Sequence, residues 1–131
     1  MASRFSEVVV DCRDPRRLAE FWCGVLGYEI IDETPDGSVE IAGEEQTPEA
    51  MRRGAVPPTI IFLVVPEPKA VKNRLHIDVR PVDRTTAEEV ERIVALGARH
   101  VDIGQGEQTW TVLADPEGNE FCVLRELPTE G

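Results

Sequence analysis

The sequence predicts one α+β domain that is built from two similar halves. Two segments, Glu7–Asp14 and His76–Asp83, share the same length and an alternating strand pattern, and both end in an aspartate. Each is followed by the apolar spacing of a helix and then by further strand patterns, as expected for an internal repeat. We therefore expect a single domain over residues 1–131, with module one at about 4–66 and module two at about 72–127.

Each half carries one predicted amphipathic helix that ends at a glycine. The first helix follows Asp14 and ends at Gly27, and the second follows Thr85 and ends at Gly97. Both glycines are expected to adopt the left-handed conformation that closes many helices. In each helix, apolar residues recur at the spacing that places them on one face. They are Leu18, Phe21, Trp22 and Val25 in the first half and Val90, Ile93 and Val94 in the second.

Strand patterns follow each helix. A Pro- and Gly-containing turn at 115–119 joins the last two strands as a hairpin, the stretch 43–58 lacks periodicity and is predicted as a loop, and 66–73 links the halves. The predicted strands are Ser38–Ile41 and Thr59–Val65 in the first half, and His100–Ile103, Thr109–Ala114 and Glu120–Leu124 in the second.

Side-chain alternation divides the first strand of each half into an apolar and a polar face. The apolar faces are predicted to pack against the helices. They consist of Val8, Val10 and Cys12 in the first half and of Leu75, Ile77 and Val79 in the second. If the two half-sheets face each other, the opposite side chains line a polar cleft, although a sheet face open to water is also polar. These polar side chains are Glu7, Asp11, His76, Asp78 and Arg80.

The composition argues against several classes of function. There are 14 Lys and Arg against 25 Asp and Glu, and a net charge of −11 repels nucleic acids and anionic membranes. Neither a run of about 18 apolar residues nor a basic leader is present, so we expect no membrane span and no secretory signal. Cys12, Cys23 and Cys122 are an odd number at wide spacing, which favours a reducing cytoplasm over a disulfide framework.

Several short motifs together resemble those of a known superfamily. They are Asp11–Pro15, Phe21–Trp22 through Leu26–Gly27, Asn73–Asp78, and Trp110 with Asp115–Phe121. In their order along the chain they are similar to the vicinal oxygen chelate superfamily, specifically its glyoxalase-like and bleomycin-resistance-like members. The resemblance implies two tandem βαβββ modules whose curled mixed sheets form a cup around the active site, and it implies a homodimer.

The resemblance also locates the positions of a metal site. In metal-dependent members, four inward side chains bind a divalent cation, one from the first and one from the last strand of each module. The first-strand positions fall on Glu7 and His76. The last-strand positions fall on Phe62 or Leu63, which cannot coordinate a metal, and on Cys122. The four-ligand pattern is therefore broken.

A cofactor is accordingly not expected, with zinc as the alternative. Glu7, His76 and Cys122 can hold zinc with an open fourth position, and the sulfur disfavours magnesium and manganese. An inward cysteine on an apolar strand is otherwise a small core residue.

His76 is the foremost catalytic candidate, because a histidine can act as acid or base near neutral pH without a metal. A structural histidine that bonds to a neighbouring strand is the alternative. Glu7 and Asp78 are its candidate catalytic partners. Asp11 and Arg80 either contact a ligand or pair with each other, and Trp110 either forms a pocket wall or packs in the core. The full set of candidate ligand contacts is Asp11, Arg80, Trp110, Cys122 and Phe62.

Two functions follow from these residues. The first is a lyase- or isomerase-type enzyme in which His76, with Glu7 or Asp78, moves a proton on a small substrate of open identity. The alternative is a metal-free protein that sequesters a cationic drug or metabolite, which the acidic net charge favours. A metal-dependent glyoxalase or ring-cleaving dioxygenase is disfavoured by Phe62 and Leu63.

Overall fold

Each half of the chain folds around a four-stranded mixed sheet. The computed structural model describes residues 2–3, 5–44, 47–53, 57–101 and 110–126. It consists of two compact units, Met1–Pro68 and Lys69–Gly131. The α+β class and the repeat of two βαβββ modules are confirmed, because both sheets have the same strand order and the same mixture of parallel and antiparallel pairs.

The described residues of the first unit form six elements. They are β1 (Glu7–Cys12), α1 (Pro15–Leu26), β2 (Glu29–Glu33), β3 (Val39–Ala42), α2 (Pro48–Arg53) and β4 (Thr59–Val64). The sheet order is β1-β4-β3-β2, in which β1 and β4 are parallel and the other pairs are antiparallel. Helix α1 packs on β2, β3 and β4 and buries Leu18 and Trp22, which gives this unit its core. Phe21 and Trp22 lie in that core, as the helical spacing predicts. Their rings meet edge to face.

The second unit repeats this order with shorter strands. It contains β5 (Asp78–Val79), α3 (Thr86–Leu96), β6 (Arg99–His100), β7 (Thr111–Ala114) and β8 (Glu120–Val123). The sheet order is β5-β8-β7-β6, with β5 and β8 parallel. Helix α3 packs against β8 and buries Ile93. Parts of the predicted strands His100–Ile103 and Thr109–Ala114 fall within residues 102–109, which lie outside the described residues.

Both predicted helices begin and end where their capping residues indicate. Asp14 accepts a hydrogen bond from the backbone N–H of Arg17, and Thr85 forms a reciprocal capping box with Glu88. Gly27 has the left-handed conformation, with φ 70°. Gly97 also has a positive φ, 129°, but lies outside the left-handed helical region that was predicted for it. Within the described residues, no helix is long and apolar enough to cross a bilayer.

Two elements of the first unit depart from the sequence prediction. The predicted loop 43–58 contains the helix α2, whose start is fixed by the Thr47 hydroxyl, which accepts from the N–H of Ala50 at 3.0 Å. Thr47, Pro48 and Glu49 form a helix start signal, which does not depend on apolar periodicity. Strand β2 was not predicted either, because four of its five residues are exposed and three are acidic.

The first strand of the second unit is shorter than its sequence suggests. The pattern predicts a strand from His76 with Leu75, Ile77 and Val79 under the helix, whereas β5 covers only Asp78–Val79. The prediction for Leu75 is wrong, since this residue is 88% exposed. Pairing with β8 begins at Ile77, whose carbonyl accepts from the N–H of Cys122 at 3.0 Å.

Candidate functional site

A group of three chemically different side chains lies on one face of the second sheet. In the parallel register of β5 and β8, Asp78 stands directly beside Cys122. His76 precedes Asp78 by two residues and so projects to the same side of the chain. One ligand-type atom from each of His76, Asp78 and Cys122 lies within 4.8 Å of the other two. The sequence predicts a role for each of them, and the register brings them together.

His76 and Asp78 form a close pair that is open to solvent. The distance from Nε2 of His76 to Oδ1 of Asp78 is 3.1 Å, and both side chains are 46% exposed. The imidazole therefore lies beside a carboxylate at a place that a ligand can reach from solvent.

Cys122 lies beneath this pair as a protonated thiol. It is 7% exposed, and its pKa is raised above 9.0 by burial first, and then by the negative charge of Asp78 and by the hydrogen bond between the two side chains. A thiol with a raised pKa is a poor nucleophile at neutral pH.

A buried carboxylate adjoins the group on the same strand. Glu120 precedes Cys122 by two residues on β8 and is buried. Nζ of Lys69 lies 2.9 Å from its Oε2, as an ion pair without the alignment of a good hydrogen bond. The N–H of Asn73 donates to Oε1 at 3.0 Å. Burial acts to raise the pKa of Glu120, but the contacts with Lys69 and Asn73 outweigh it and hold the pKa below 4.5.

Sequence reasoning did not assign a site role to Lys69 or Glu120. The available signal was the spacing of Glu120 and Cys122, which share a face of β8. The partner Lys69 carries no such signal, because it lies in an irregular segment 51 residues before Glu120. Through this pair and Asn73, the segment 69–73 is attached to the strand that carries Cys122.

Three further predicted ligand contacts lie elsewhere. Arg80 donates from Nη1 to the backbone carbonyl of Arg125 at 2.6 Å, which gives it a structural partner in the second unit. Trp110 lies in a bend just before β7 and is partly exposed. Asp11 is exposed on β1 of the first unit, as is the predicted catalytic residue Glu7.

The prediction that Phe62 contacts a ligand needs correction. Phe62 pairs with Val10 on the face of the sheet that α1 covers, and it is 0% exposed. The next residue, Leu63, pairs with Asp11 and shares its exposed face. The metal-ligand position on the last strand of module one corresponds to Phe62 or Leu63. The alternation of β4 places it at Leu63, which has no ligand atom.

The chain belongs to the glyoxalase-like domain family, whose sequence profile matches residues 7–124. No protein of curated function shows significant sequence similarity to it. The resemblance to the vicinal oxygen chelate superfamily is confirmed by this match and by the solved structures that share the fold.

Several crystal structures have this fold at low sequence identity. A variant of the fosfomycin resistance protein FosX from Listeria monocytogenes, complexed with Mn(II) and 1S,2S-dihydroxypropylphosphonic acid, has a TM-score of 0.67 and 17% identity, covering 97% of this chain and 93% of that one. FosX from Mesorhizobium loti has a TM-score of 0.67 and 15% identity, with 95% and 92% coverage. A glyoxalase/bleomycin resistance/dioxygenase family enzyme from Burkholderia phytofirmans has a TM-score of 0.64 and 19% identity, with 92% and 97% coverage.

Proposed function

We propose that this protein is a small-molecule enzyme of lyase or isomerase type, in which His76 transfers a proton and Asp78 positions it. The observation that carries the proposal is the 3.1 Å contact between Nε2 of His76 and Oδ1 of Asp78, in a pair that remains half exposed. A histidine oriented by a carboxylate and open to a ligand has the arrangement of a general acid–base catalyst.

The proposal gives each member of the group a separate role. Nδ1 of His76 removes a proton from a carbon next to a carbonyl, and the electron pair of that C–H bond moves onto the substrate. The positive imidazolium is stabilised by the adjacent carboxylate of Asp78, whose Oδ1 lies 3.1 Å from Nε2. His76 then returns the proton to a different atom of the substrate for isomerisation, or to a leaving group for elimination. Cys122 holds Asp78 in place through its S–H.

The other predicted residues keep the roles that the sequence suggests. Glu7 is proposed as a second proton carrier, and Asp11, Arg80 and Trp110 as ligand contacts. The cytoplasm and a homodimer remain the proposed location and assembly, on the strength of the cysteine usage and the family resemblance respectively.

Proton exchange tests the proposal without knowledge of the natural substrate. The protein is incubated in D2O with a panel of α-hydroxy ketones, α-hydroxy aldehydes and β-substituted ketones, and NMR follows the loss of the proton next to the carbonyl. We expect exchange that H76A lowers by about 100-fold or more. H100A is the matched control, because His100 is the second histidine of the chain and is exposed on β6. Exchange that survives in H76A contradicts the proposal.

A second candidate function is the binding of a cationic small molecule without turnover. It is favoured by the net charge of −11 together with the exposed carboxylates of Glu7, Asp11 and Asp78. A ligand that binds the native state raises its melting temperature. We expect aromatic or aliphatic ammonium compounds to do so in the wild type and less in D78N. A panel that leaves the melting temperature of the wild type unchanged removes the support for this function.

A further inference from the structure

His76 lies just outside the regular part of the strand that carries Asp78. Strand β5 begins at Asp78, and the pairing with β8 begins one residue earlier, at the carbonyl of Ile77. Leu75, which precedes His76, is 88% exposed, so burial of its side chain does not fix this part of the chain. The place of the imidazole relative to Asp78 therefore depends on what holds the chain before it.

A second attachment to the β8 side of the sheet lies three residues before the imidazole. The backbone N–H of Asn73 donates to Oε1 of Glu120 on β8 at 3.0 Å. The side chain of Asn73 donates from Nδ2 to Oδ1 of Asn119, also at 3.0 Å. Asn119 in turn donates from its own Nδ2 to both carboxylate oxygens of the buried Asp115, at 3.2 and 3.0 Å. Residues 74–76 are therefore a short bridge that is held at both ends.

We propose that Lys69 and Glu120 are positioning residues for His76. Their ion pair keeps Asn73 on β8, and the bridge 74–76 that starts there places the imidazole beside Asp78. The pair acts through the backbone of the bridge, so neither side chain has to touch a substrate. The catalytic effect of this positioning rests on the proposed function, whereas the place of the imidazole can be measured without it.

The cation of Lys69 is needed because the carboxylate of Glu120 is buried. The two side chains are 19% and 10% exposed, and Nζ lies 2.9 Å from Oε2. Burial acts to raise the pKa of Glu120, and the contacts with Lys69 and Asn73 keep the pKa below 4.5. A charged acceptor binds an N–H more strongly than a neutral one. Without Lys69, the carboxylate gains a proton or turns to solvent, and either change weakens its bond to Asn73.

The contact between His76 and Asp78 tolerates little movement of the bridge. Nε2 and Oδ1 are 3.1 Å apart. Donor and acceptor atoms in proteins are normally no more than about 3.2 Å apart, so a displacement of about 1 Å at the imidazole separates the pair. Small displacements of a catalytic group are enough to lower a rate by about 100-fold. The attachment of Asn73 is thus a condition for the arrangement that the proposed function requires.

Nitrogen NMR of the imidazole rings tests the positioning without a substrate. The chain has two histidines, and His100 on β6 serves as the internal reference. The Asp78→Asn variant defines how the signals of His76 move when the carboxylate is lost. We expect Lys69→Met to move the His76 signals toward those of D78N and to leave the His100 signals in place. Lys69→Arg keeps the cation and should return the His76 signals to their wild-type positions.

Two further variants separate positioning from a general loss of stability. Thr85→Ala removes the N-cap of α3 in the same unit and should leave the His76 signals unchanged. Asn73→Ala removes the bond to Asn119, keeps the ion pair, and should move the His76 signals in the same direction as K69M; it also decides the question if K69M does not fold. The proposal is overturned if neither K69M nor N73A moves the signals, or if T85A or K69R moves them as far as K69M does.

Proton exchange supplies the catalytic measurement, with any compound of the panel that reacts. Lys69→Met should lower kcat by about 10-fold or more and leave KM nearly unchanged, because the ion pair positions the imidazole and does not contact the substrate. A change in KM alone overturns the catalytic effect. If no compound exchanges, the proposed function fails, while the imidazole signals still decide whether Lys69 and Glu120 position His76.

Discussion

His76, Asp78 and Cys122 show how three ordinary side chains acquire distinct properties from their neighbours. Asp78 places a carboxylate oxygen 3.1 Å from Nε2 of His76, and the same carboxylate accepts from the thiol of Cys122. The thiol in turn is kept protonated by burial and by the adjacent negative charge. Replacement of one member should therefore change the chemistry of the other two.

The Asp78→Asn variant should lower the pKa of the Cys122 thiol. It removes the negative charge and the carboxylate acceptor that act with burial to raise that pKa. The measurement is the pH dependence of alkylation of Cys122, followed by mass spectrometry in a C23S background. Asp83→Asn provides the control, because Asp83 is exposed and pairs with Arg84. If the two variants show the same alkylation profile, Asp78 does not act on the thiol.

At the scale of single elements, an ion pair and two hydrogen bonds of Asn73 attach the segment before β5 to β8 and the turn before it. Lys69→Met should lower the free energy of unfolding by about 1 to 3 kcal/mol, because the carboxylate of Glu120 stays buried without its cation. Chemical denaturation measures this loss. Lys72→Met is the matched control, since the ammonium of Lys72 is exposed and donates to the backbone carbonyl of Asn73. Equal stability of the two variants would show that the pair contributes nothing.

Helix α3 carries a pH-dependent contribution to stability. Glu89 bonds to Arg92 through both carboxylate oxygens, at 2.6 and 2.9 Å, and this contact lowers the pKa of Glu89 below 4.5. A group whose pKa is lowered in the folded state stabilises the protein above its unfolded pKa, and the contribution is lost as the pH falls through the folded value. The wild type should therefore lose more stability than Glu89→Gln between neutral pH and the acid side of 4.5. Parallel losses in denaturation series at several pH values would contradict the assignment.

The elements differ in how far the sequence predicts them. Helices α1 and α3 begin and end at residues that the sequence marks, because caps are local interactions between neighbours in the chain. Strand β2 carries no apolar alternation and exists because it pairs with β3. Strand β5 is limited to two residues by its pairing with β8, although its alternating pattern is longer. Strand limits depend on a partner that is distant in sequence, which periodicity does not describe.

At the scale of the whole molecule, the sequence predicts one domain of two modules, and the chain contains two compact units of similar size. A unit of about 60 residues buries only about 60% of its unfolded surface, which leaves little margin of stability. We therefore expect the full chain to unfold in one cooperative transition. Trp22 and Trp110 lie in different units, so tryptophan fluorescence reports on both. If the chain unfolds in one transition, fluorescence and circular dichroism should give the same midpoint. Two separate midpoints would contradict the prediction.

The sequence by itself determined the class of fold, the repeat and the identity of the residues to examine. These properties follow from periodicity, caps and motif order, which are local in the chain. Tertiary structure decided which of those residues meet. The register of β5 against β8 joins Asp78 to Cys122, and the alternation of β4 buries Phe62 and exposes Leu63. A one-residue shift of β5 against β8 would separate Asp78 from Cys122, and a one-residue shift of β4 would exchange the positions of Phe62 and Leu63, because neighbouring side chains of a strand point to opposite faces.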